Sequence, residues 1–177
     1  SRVFNNINSD WKECKLSEIA KIYQPQTIAS TDLIKDGTYL VYGANGCIGR
    51  YNRYNHDTGQ IAICCRGASC GTVNFIPAFS WITGNAMVIN IQSSMANKTF
   101  VYYCLLATDL SYMISGSGQP QIVRQPCLDH KIKLPSEQEQ DHIANLFCLL
   151  DKCIDNHVTY LELLSRIKSS LLQQLFI

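Results

Sequence analysis

The residues of this chain that could perform covalent chemistry lie in the apolar run IAICCRGASC, where Cys65 precedes Arg66, and Ser69 and Cys70 follow shortly after. A reactive cysteine needs a neighbouring cation or base that stabilises its thiolate, and Arg66 would supply only the cation. No base is marked by its spacing, and a cysteine in a strand is far more often a small core residue. An enzyme that works through Cys65 or Cys70 is therefore the least favoured reading.

Metal and phosphate sites have little support in the sequence. The nine cysteines contain no CxxC pair, and the adjacent Cys64 and Cys65 would point to opposite faces of a strand. Their odd number, without a secretion signal, favours reduced and buried thiols. The glycines of GANGCIG lack the spacing of a dinucleotide-binding loop, and no GxxxxGK[ST] run occurs. We therefore predict no catalytic residue, no metal and no cofactor on this chain.

Polar and aromatic side chains on turns rich in glycine and asparagine indicate a different chemistry. Arginine can pair with guanine through two hydrogen bonds, asparagine or glutamine can do so with adenine, and tyrosine can reach sugars, phosphates and base faces. For each such residue the alternative is a solvated loop side chain. The residues that we predict to contact DNA are Asn45, Arg50, Arg53, Tyr54, Arg66, Ser69, Gln119, Gln121 and Arg124.

Short β-strands would position these side chains. Between residues 37 and 91, runs such as TYLVYG, GQIAICCRG, GTVNFI and NAMVINI are rich in β-branched and aromatic residues and are separated by glycine and asparagine. The spacing predicts a hairpin whose loop contains residues 67–69. It also predicts a turn with positive φ at Asn45 and Gly46.

Helical periodicity appears in three places. It predicts a short helix over residues 16–22 with Ser17 as its N-cap, and a second helix between residues 97 and 114. A last strand, DHKIKLP, leads into a long helix over residues 136–175, which no glycine or proline interrupts. At 1.5 Å per residue this helix would extend about 60 Å, farther than so small a domain can cover.

The long helix carries apolar residues at alternating steps of three and four. Such a stripe is typical of helices that pair, although packing on the chain's own domain throughout is the alternative. We expect a second helix, from another copy or another protein, to cover it. The residues predicted to carry the pairing are Ile143, Phe147, Leu150, Ile154, Leu161, Leu164, Leu171 and Leu175.

Composition limits the protein class. The 177 residues, 46% hydrophobic, suffice for one globular α+β domain and an appended element. The net charge of +1 conceals an asymmetry, because residues 1–135 hold 12 Lys and Arg against 8 Asp and Glu, whereas residues 136–177 hold 3 against 6. No run of about 18 apolar residues occurs, and the first 20 residues lack the order of a signal peptide. We expect a cytoplasmic protein without membrane contact.

The order of several motifs makes the chain resemble a known family. The motifs are W-x4-L-S-E-I from Trp11 to Ile19, GQIAICCRGASCGTV, GSGQPQI, KIKLPSEQEQDHIA and the ending LLQQLF. Together they resemble the DNA-specificity (S) subunit of type I restriction-modification systems, over essentially the whole chain. The junction LPSEQEQDHIA, which enters the long helix, is the most diagnostic of them.

The resemblance implies a division of labour along the chain. Residues 1–135 would form a target recognition domain that reads one half of a bipartite sequence in double-stranded DNA. Residues 136–177 would form a spacer helix that pairs as an antiparallel coiled coil and docks methyltransferase subunits, which restriction subunits can join. The chain itself would be non-catalytic, and S-adenosylmethionine, ATP and Mg would belong to the partner subunits.

One departure from the family leaves two forms open. Family members usually carry two recognition domains and two helices, whereas this sequence has one of each. It is either part of a longer subunit, whose C-terminal half the ending resembles, or a half-size subunit that forms a homodimer and reads an inverted repeat. The alternative from a different class is a protein adaptor, a small α+β domain on a coiled-coil stalk that does not bind DNA.

Overall fold

The structure, a computed structural model, describes residues 10–43, 45–116 and 118–176. Residues 1–9 of the predicted recognition domain and Ser117 of the predicted GSGQPQI loop lie outside the described residues. The strands are β1 (Lys12–Lys15), β2 (Ala20–Tyr23), β3 (Tyr39–Gly43), β4 (Gly46–Tyr51), β5 (Gln60–Cys64), β6 (Val73–Ile76), β7 (Trp81–Ile82), β8 (Ala86–Ile91), β9 (Ile114–Ser115), β10 (Gln121–Ile122) and β11 (Lys131–Leu134). The helices are α1 (Leu16–Ile19), α2 (Lys98–Leu106), α3 (Arg124–Asp129) and α4 (Glu137–Phe176), with 3-10 turns at Ser30–Asp32 and Ser111–Met113.

A four-stranded antiparallel sheet in the order β2-β8-β5-β6 forms the centre of the module. Every residue of β5 is buried, and after Gln60 the strand is a continuous apolar run and not an alternating one. One face of the sheet packs on the helices through residues such as Ile61, Ile63 and Phe100. The opposite face packs through Ala62, Ile82 and Val88. Both faces of the central sheet are therefore covered.

A three-stranded sheet in the order β4-β3-β7 lies against that second face, because Ile82 of β7 and Tyr42 of β3 contact it. Strand β3 pairs antiparallel with β4 and parallel with β7, and a bulge interrupts the first pairing between Val41 and Tyr42. The tight β3–β4 connection contains Gly46 with φ of 130°, a conformation that glycine adopts without strain. The predicted turn is confirmed, and its positive φ is found at Gly46.

A two-stranded pair, β1 with β11, joins the start of the module to the base of α4. Lys12 stands opposite Leu134 and Lys15 opposite Lys131. The exposed ion pairs Lys15–Asp129 (2.9 Å) and Lys131–Glu13 (2.7 Å) lie along this pair. The arrangement brings both ends of the module to one place, from which α4 leaves.

Two predicted helices were longer than those observed. Helix α1 ends at Ile19 and begins after Lys15, whose backbone N–H donates to Glu18 Oε1 at 2.9 Å, so the predicted N-cap Ser17 is wrong. The remainder of the predicted segment is β2, because Ile22 is fully buried and its strand pairs with β8. Helix α2 has Asn97 as its N-cap and ends at Leu106. Asp109 then accepts from Ser111 and starts the 3-10 turn instead.

Helix α3 was not predicted from the sequence. It follows β10 directly, and Pro126 lies in its first turn, where proline's missing N–H removes no helical hydrogen bond. Cys127 is its fully buried residue and packs on the main core. The predicted fold class, α+β with one long C-terminal helix, is confirmed, whereas the pairing of that helix as a coiled coil stays a prediction.

Helix α4 spans 40 residues, about 60 Å, and only Gln140 and Ala144 are buried along it. It packs against α2 near its beginning, where the Tyr103 and Phe147 rings lie 5.0 Å apart. From residue 149 to residue 176 every position is exposed. In the part of the chain that the structure describes, no helix combines the length and hydropathy that a membrane crossing requires.

Candidate nucleic-acid interface

Three connections meet at the end of the central sheet where β5 finishes. The β5–β6 loop contacts the β9–β10 loop through Gly67 N–H, which donates to Pro120 O at 3.2 Å, and through Ile122 N–H, which donates to Cys65 O at 3.1 Å. Arg66 and Gln121 form an antiparallel bridge across these two loops. Because partners in such a bridge stand directly opposite, their side chains lie on one face with Cβ atoms about 5 Å apart.

The turn between β7 and β8 completes this end of the module. Cys65 N–H donates to Asn85 O at 3.0 Å, which brings the exposed Asn85 beside Arg66. Residues Arg66, Asn85, Gln119 and Gln121, all exposed, are called the reading-loop surface below. Four amide and guanidinium side chains thus project from neighbouring loops at one end of a covered sheet.

Cys65 is the buried residue that holds these loops together. Its thiol donates to Asn85 O at 3.0 Å, and its sulfur accepts from Gln24 Nε2 at 3.1 Å. Gln24 Nε2 also donates to Gly84 O at 3.1 Å, in the same turn. Burial raises the pKa of the Cys65 thiol, so it stays protonated as a hydrogen-bond donor and lacks the thiolate that a nucleophile needs.

The β9–β10 loop has a conformation that depends on glycine. Gly116 has φ of 94°, and a Cβ atom at this position would lie 2.6 Å from Gln119 O. A residue with a side chain would therefore force the loop apart. The backbone geometry of the loop therefore explains the first glycine of the GSGQPQI motif. In this conformation Gln119 and Gln121 are both exposed.

Ser69 has its hydroxyl directed into the hairpin. The Ser69 Oγ and Cys64 Sγ atoms lie 3.1 Å apart, and Thr72 N–H donates to Ser69 O at 3.0 Å. The half-buried Ser69 therefore shapes the loop that carries Arg66. Arg124, the first residue of α3, is exposed two residues after Ile122 and lies close to the reading-loop surface along the chain.

The remaining predicted residues are divided between the two ends of the three-stranded sheet. Asn45 is exposed just beyond the end of β3, and Thr83 N–H donates to Tyr42 O at 2.9 Å at that end, next to the β7–β8 turn. Arg50 pairs with Leu40 near the start of β3, and Arg53 and Tyr54 follow it. The structure therefore brings Asn45 to the reading-loop end and places the other three at the opposite end.

Arg50 is engaged within the module. Its Nη1 atom donates to Gly37 O at 3.1 Å and to Thr38 O at 3.5 Å. Tyr54 packs edge-on between Tyr39, at 4.9 Å between ring centroids, and Phe79, at 5.4 Å. Arg53 is exposed and has no hydrogen bond or ion pair within the described ranges.

Sequence reasoning missed Asn85 and Phe79. Gly84 and Asn85 form a Gly-Asn pair, which indicates a turn. Nothing in the sequence indicates that this turn lies beside the loop that carries Arg66. Phe79 has φ of 55°, the one positive value among the described residues other than glycine, and no composition rule indicates it. Both depend on contacts between segments that are distant in the sequence.

The buried histidines are structural. His56 Nε2 lies 2.9 Å from Tyr23 OH, and its Nδ1 lies 2.6 Å from Asn55 Oδ1. His130 bonds to Tyr112 OH through Nδ1. Burial lowers the pKa of both imidazoles, which favours their neutral forms. Within the described parts of the chain, no cluster of three or more metal-binding side chains occurs.

Comparison with known proteins gives one consistent result. The family model of the type I restriction modification DNA specificity domain matches residues 8–166. The chain is 29% identical to the specificity subunit of the type I restriction enzyme EcoprrI of Escherichia coli over 171 residues, which are 94% of this chain and 41% of that protein. It thus spans less than half the length of this relative.

Solved structures show the same architecture. The S subunit of the type I restriction-modification system from M. genitalium matches with a TM-score of 0.81 at 18% identity, over 98% of this chain and 47% of that chain. The HsdS subunit from Thermoanaerobacter tengcongensis matches with a TM-score of 0.63 at 15% identity, over 86% of this chain and 40% of that chain. At these identities the likeness shows the fold.

Proposed function

Because the chain belongs to the family of type I restriction modification DNA specificity domains, we propose that it reads one half of a bipartite DNA target and docks methyltransferase subunits. The observation that carries this proposal is the bridge between Arg66 and Gln121, which holds two base-reading side chains side by side. The chain supplies specificity and no catalytic group. S-adenosylmethionine, ATP and Mg act on the partner subunits, and the complex acts on DNA in the cytoplasm.

The chemistry of the reading-loop surface fits the major groove. Arg66 can donate two hydrogen bonds to guanine, and Gln121 can both donate to and accept from adenine. Their separation of about 5 Å at Cβ is close to the rise of about 3.4 Å between neighbouring base pairs. They would therefore read adjacent base pairs, with Gln119 and Asn85 beside them. The excess of Lys and Arg in residues 1–135 favours approach to phosphate.

Helix α4 fits the role of a spacer that pairs with another helix. Its exposed apolar residues continue from Leu149 to Phe176, and every position over this length is exposed. Pairing with a second copy would place two identical readers at opposite ends and select an inverted repeat with an unspecified centre. Pairing with the helix of a longer parent subunit would select an asymmetric target.

The proposal is tested by selecting bound sequences from a library of randomised duplexes, first with the unaltered chain and then with Arg66→Ala and Gln121→Ala. Each substitution should weaken binding to the selected sequence by roughly 5- to 150-fold and relax preference at one position, because a bidentate base contact is lost. Affinity for random duplexes should remain unchanged.

Gln138→Ala is the matched control, because Gln138 is exposed on α4, away from the reading-loop surface. It should leave selection and affinity unchanged. Equal losses on selected and random DNA would remove Arg66 and Gln121 from base reading. If the unaltered chain shows neither selection nor a dependence of binding on salt, the protein is an adaptor and the proposal fails.

A further inference from the structure

Phe79 occupies an unusual position in the turn between β6 and β7. Its φ of 55° lies in the left-handed region, which a bulky residue adopts only under strain, and the residue is 53% exposed. Because Phe79 is exposed, burial in the core does not offset that strain. Strained residues of this kind cluster at sites that contact ligands.

The backbone around Phe79 is held rigidly. The following residue, Ser80, is buried, and its N–H and C=O exchange hydrogen bonds of 3.2 Å with His56. The side chain of Asn55 donates to Ile82 O at 3.0 Å and accepts from Ile82 N–H at 2.8 Å. The ring is therefore presented from a fixed base and not from a loose loop.

Phe79 belongs to an aromatic surface, defined as Tyr39, Arg53, Tyr54 and Phe79. The Tyr54 ring contacts the Tyr39 and Phe79 rings edge-on, and Tyr54 as a residue is 41% exposed. Arg53 precedes Tyr54 and has no hydrogen bond or ion pair within the described part of the chain. An exposed guanidinium beside exposed rings is the combination that contacts sugars, base edges and phosphates in a narrow groove.

The position of the aromatic surface relates it to the reading-loop surface. Strand β5 runs from Gln60, paired with Ile76 near Phe79, to Cys64 beside the reading loops. Its five residues span about 13 Å, to which the loops at each end add a few ångströms. Measured along β5, the separation of the two surfaces is thus about 17 Å, which is half of the roughly 34 Å that one turn of DNA occupies.

We propose that the aromatic surface is a second DNA contact, which lies in the minor groove about half a helical turn from the base pairs read by the reading-loop surface. Phe79 and Tyr54 press on the sugars and base edges there, and Arg53 contacts the groove or its phosphates. This inference rests on the proposed DNA-reading function. It explains why Arg53 and Tyr54, two of the predicted DNA contacts, lie at the opposite end of the sheet from Arg66.

The test is hydroxyl-radical footprinting, which reports sugars exposed along the minor groove, with the full chain on the duplex that the unaltered protein selects. The unaltered chain should protect a short run of sugars about half a turn from the positions whose preference Gln121→Ala relaxes. Phe79→Ala should lose that protection and weaken binding roughly tenfold, the effect of losing one aromatic contact with DNA. Preference at the positions read by Gln121 should remain.

Phe75→Ala is the matched control, because Phe75 is also an exposed phenylalanine but faces Tyr102 of α2, with their rings 5.7 Å apart. It should leave the footprint unchanged. Arg53→Ala is a second variant that leaves the strained turn intact, and it should weaken binding with a reduced salt dependence.

An unchanged footprint and affinity for both Phe79→Ala and Arg53→Ala would overturn this inference, while the sequence selection lost in Gln121→Ala would keep the proposed function. If Phe79→Ala instead prevents association with a methyltransferase subunit and leaves the DNA footprint intact, the surface binds protein and the inference is wrong. Absence of any selected sequence with the unaltered chain would refute the proposed function itself.

Discussion

The two parts of α4 have the same helical backbone but opposite surroundings. Along residues 137–151 the helix is fixed to the module, chiefly by Gln140, which is 1% exposed. Its Oε1 accepts from Asn97 N–H at 2.8 Å, and its Nε2 donates to Met95 O at 2.9 Å and Pro135 O at 3.1 Å. Along residues 152–176 every position is exposed.

The two parts of α4 differ in the kind of side chain that makes, or is available for, contacts. At the base of the helix, directional hydrogen bonds fix the angle at which the helix leaves the module. Two further bonds support them. Asn97 Nδ2 donates to Asp141 at 2.7 Å, and Tyr103 OH donates to Asp151 at 2.6 Å. Beyond Asp151 the stripe is apolar and suited to a partner helix. An apolar periodic pattern therefore does not by itself identify contacts within the chain.

The predicted pairing residues are divided by this boundary. Ile143 packs against the core of its own module, and Phe147 contacts Tyr103. Leu150, Ile154, Leu161, Leu164, Leu171 and Leu175 are exposed. The role of all eight in pairing stays a prediction, but two of them already have partners within the chain.

The largest effect is expected in the exposed part of α4. Leu161→Asp should abolish self-association, with a dissociation constant raised about 100-fold or more, because an aspartate would be buried between helices without a partner. Light scattering after size-exclusion chromatography measures the change. Thermal unfolding of the module should be unaffected, since Leu161 does not contact it.

Thr159→Asp is the control for this substitution, because residue 159 lies about 200° around the helix from residue 161. It should retain association. If Leu161→Asp and Thr159→Asp associate equally well, the predicted seam is misplaced.

A smaller effect is expected at the base of the helix. Gln140→Leu should lower the free energy of unfolding by about 3 kcal/mol, because three backbone groups lose the hydrogen-bond partner that the buried Gln140 side chain supplies, while the volume changes little. Urea denaturation measures this loss. Gln138→Leu, on the exposed side of the same turn, should leave stability unchanged. Comparable losses in both variants would mean that Gln140 does not fix the helix.

The smallest effect concerns pH and should be confined to the module. Burial lowers the pKa of His56 and His130, so the unfolded chain takes up protons at a higher pH than the folded chain does. Stability is therefore fully present above the unfolded pKa of about 6.5 and falls as the pH drops below it. Thermal unfolding between about pH 7.5 and 5.5 measures the decline.

His130→Gln should flatten this pH dependence, because glutamine does not titrate. His157→Gln, at an exposed position of α4, should leave it unchanged. A pH dependence identical in all three proteins would show that the His130 imidazole does not contribute.

Local sequence patterns were sufficient to predict the elements whose formation depends on interactions between residues that are close in the sequence. The alternation of apolar runs and turn residues predicted the β5–β6 hairpin, the turn at Gly46 and the long helix, because strand propensity, glycine conformations and helical periodicity act over a few residues. The lengths of α1 and α2 were overestimated, since Ile22 fits helix or strand equally well until β8 pairs with it.

The candidate site was predicted by residue type but not by arrangement. Arg66, Gln119 and Gln121 were identified from their chemistry and lie together, whereas Arg53 and Tyr54, identified by the same reasoning, lie at the other end of the sheet. Phe79 and Asn85 had no signal strong enough to select them. Spacing along the chain does not show which loops meet in the fold. The bridge from Arg66 to Gln121, for example, joins residues that are 55 positions apart.

The amino-acid sequence by itself determined the class of fold, the family and the presence of a helix too long for its domain, because these follow from periodicity, turn residues and the order of motifs. The tertiary structure alone decided which side chains share a surface, that Cys65 joins the reading loops, and where α4 leaves the module. The physical reason is that these features depend on hydrogen bonds between segments that are distant in the sequence, such as that from Gln140 to Met95, and each bond requires the packed arrangement of those segments.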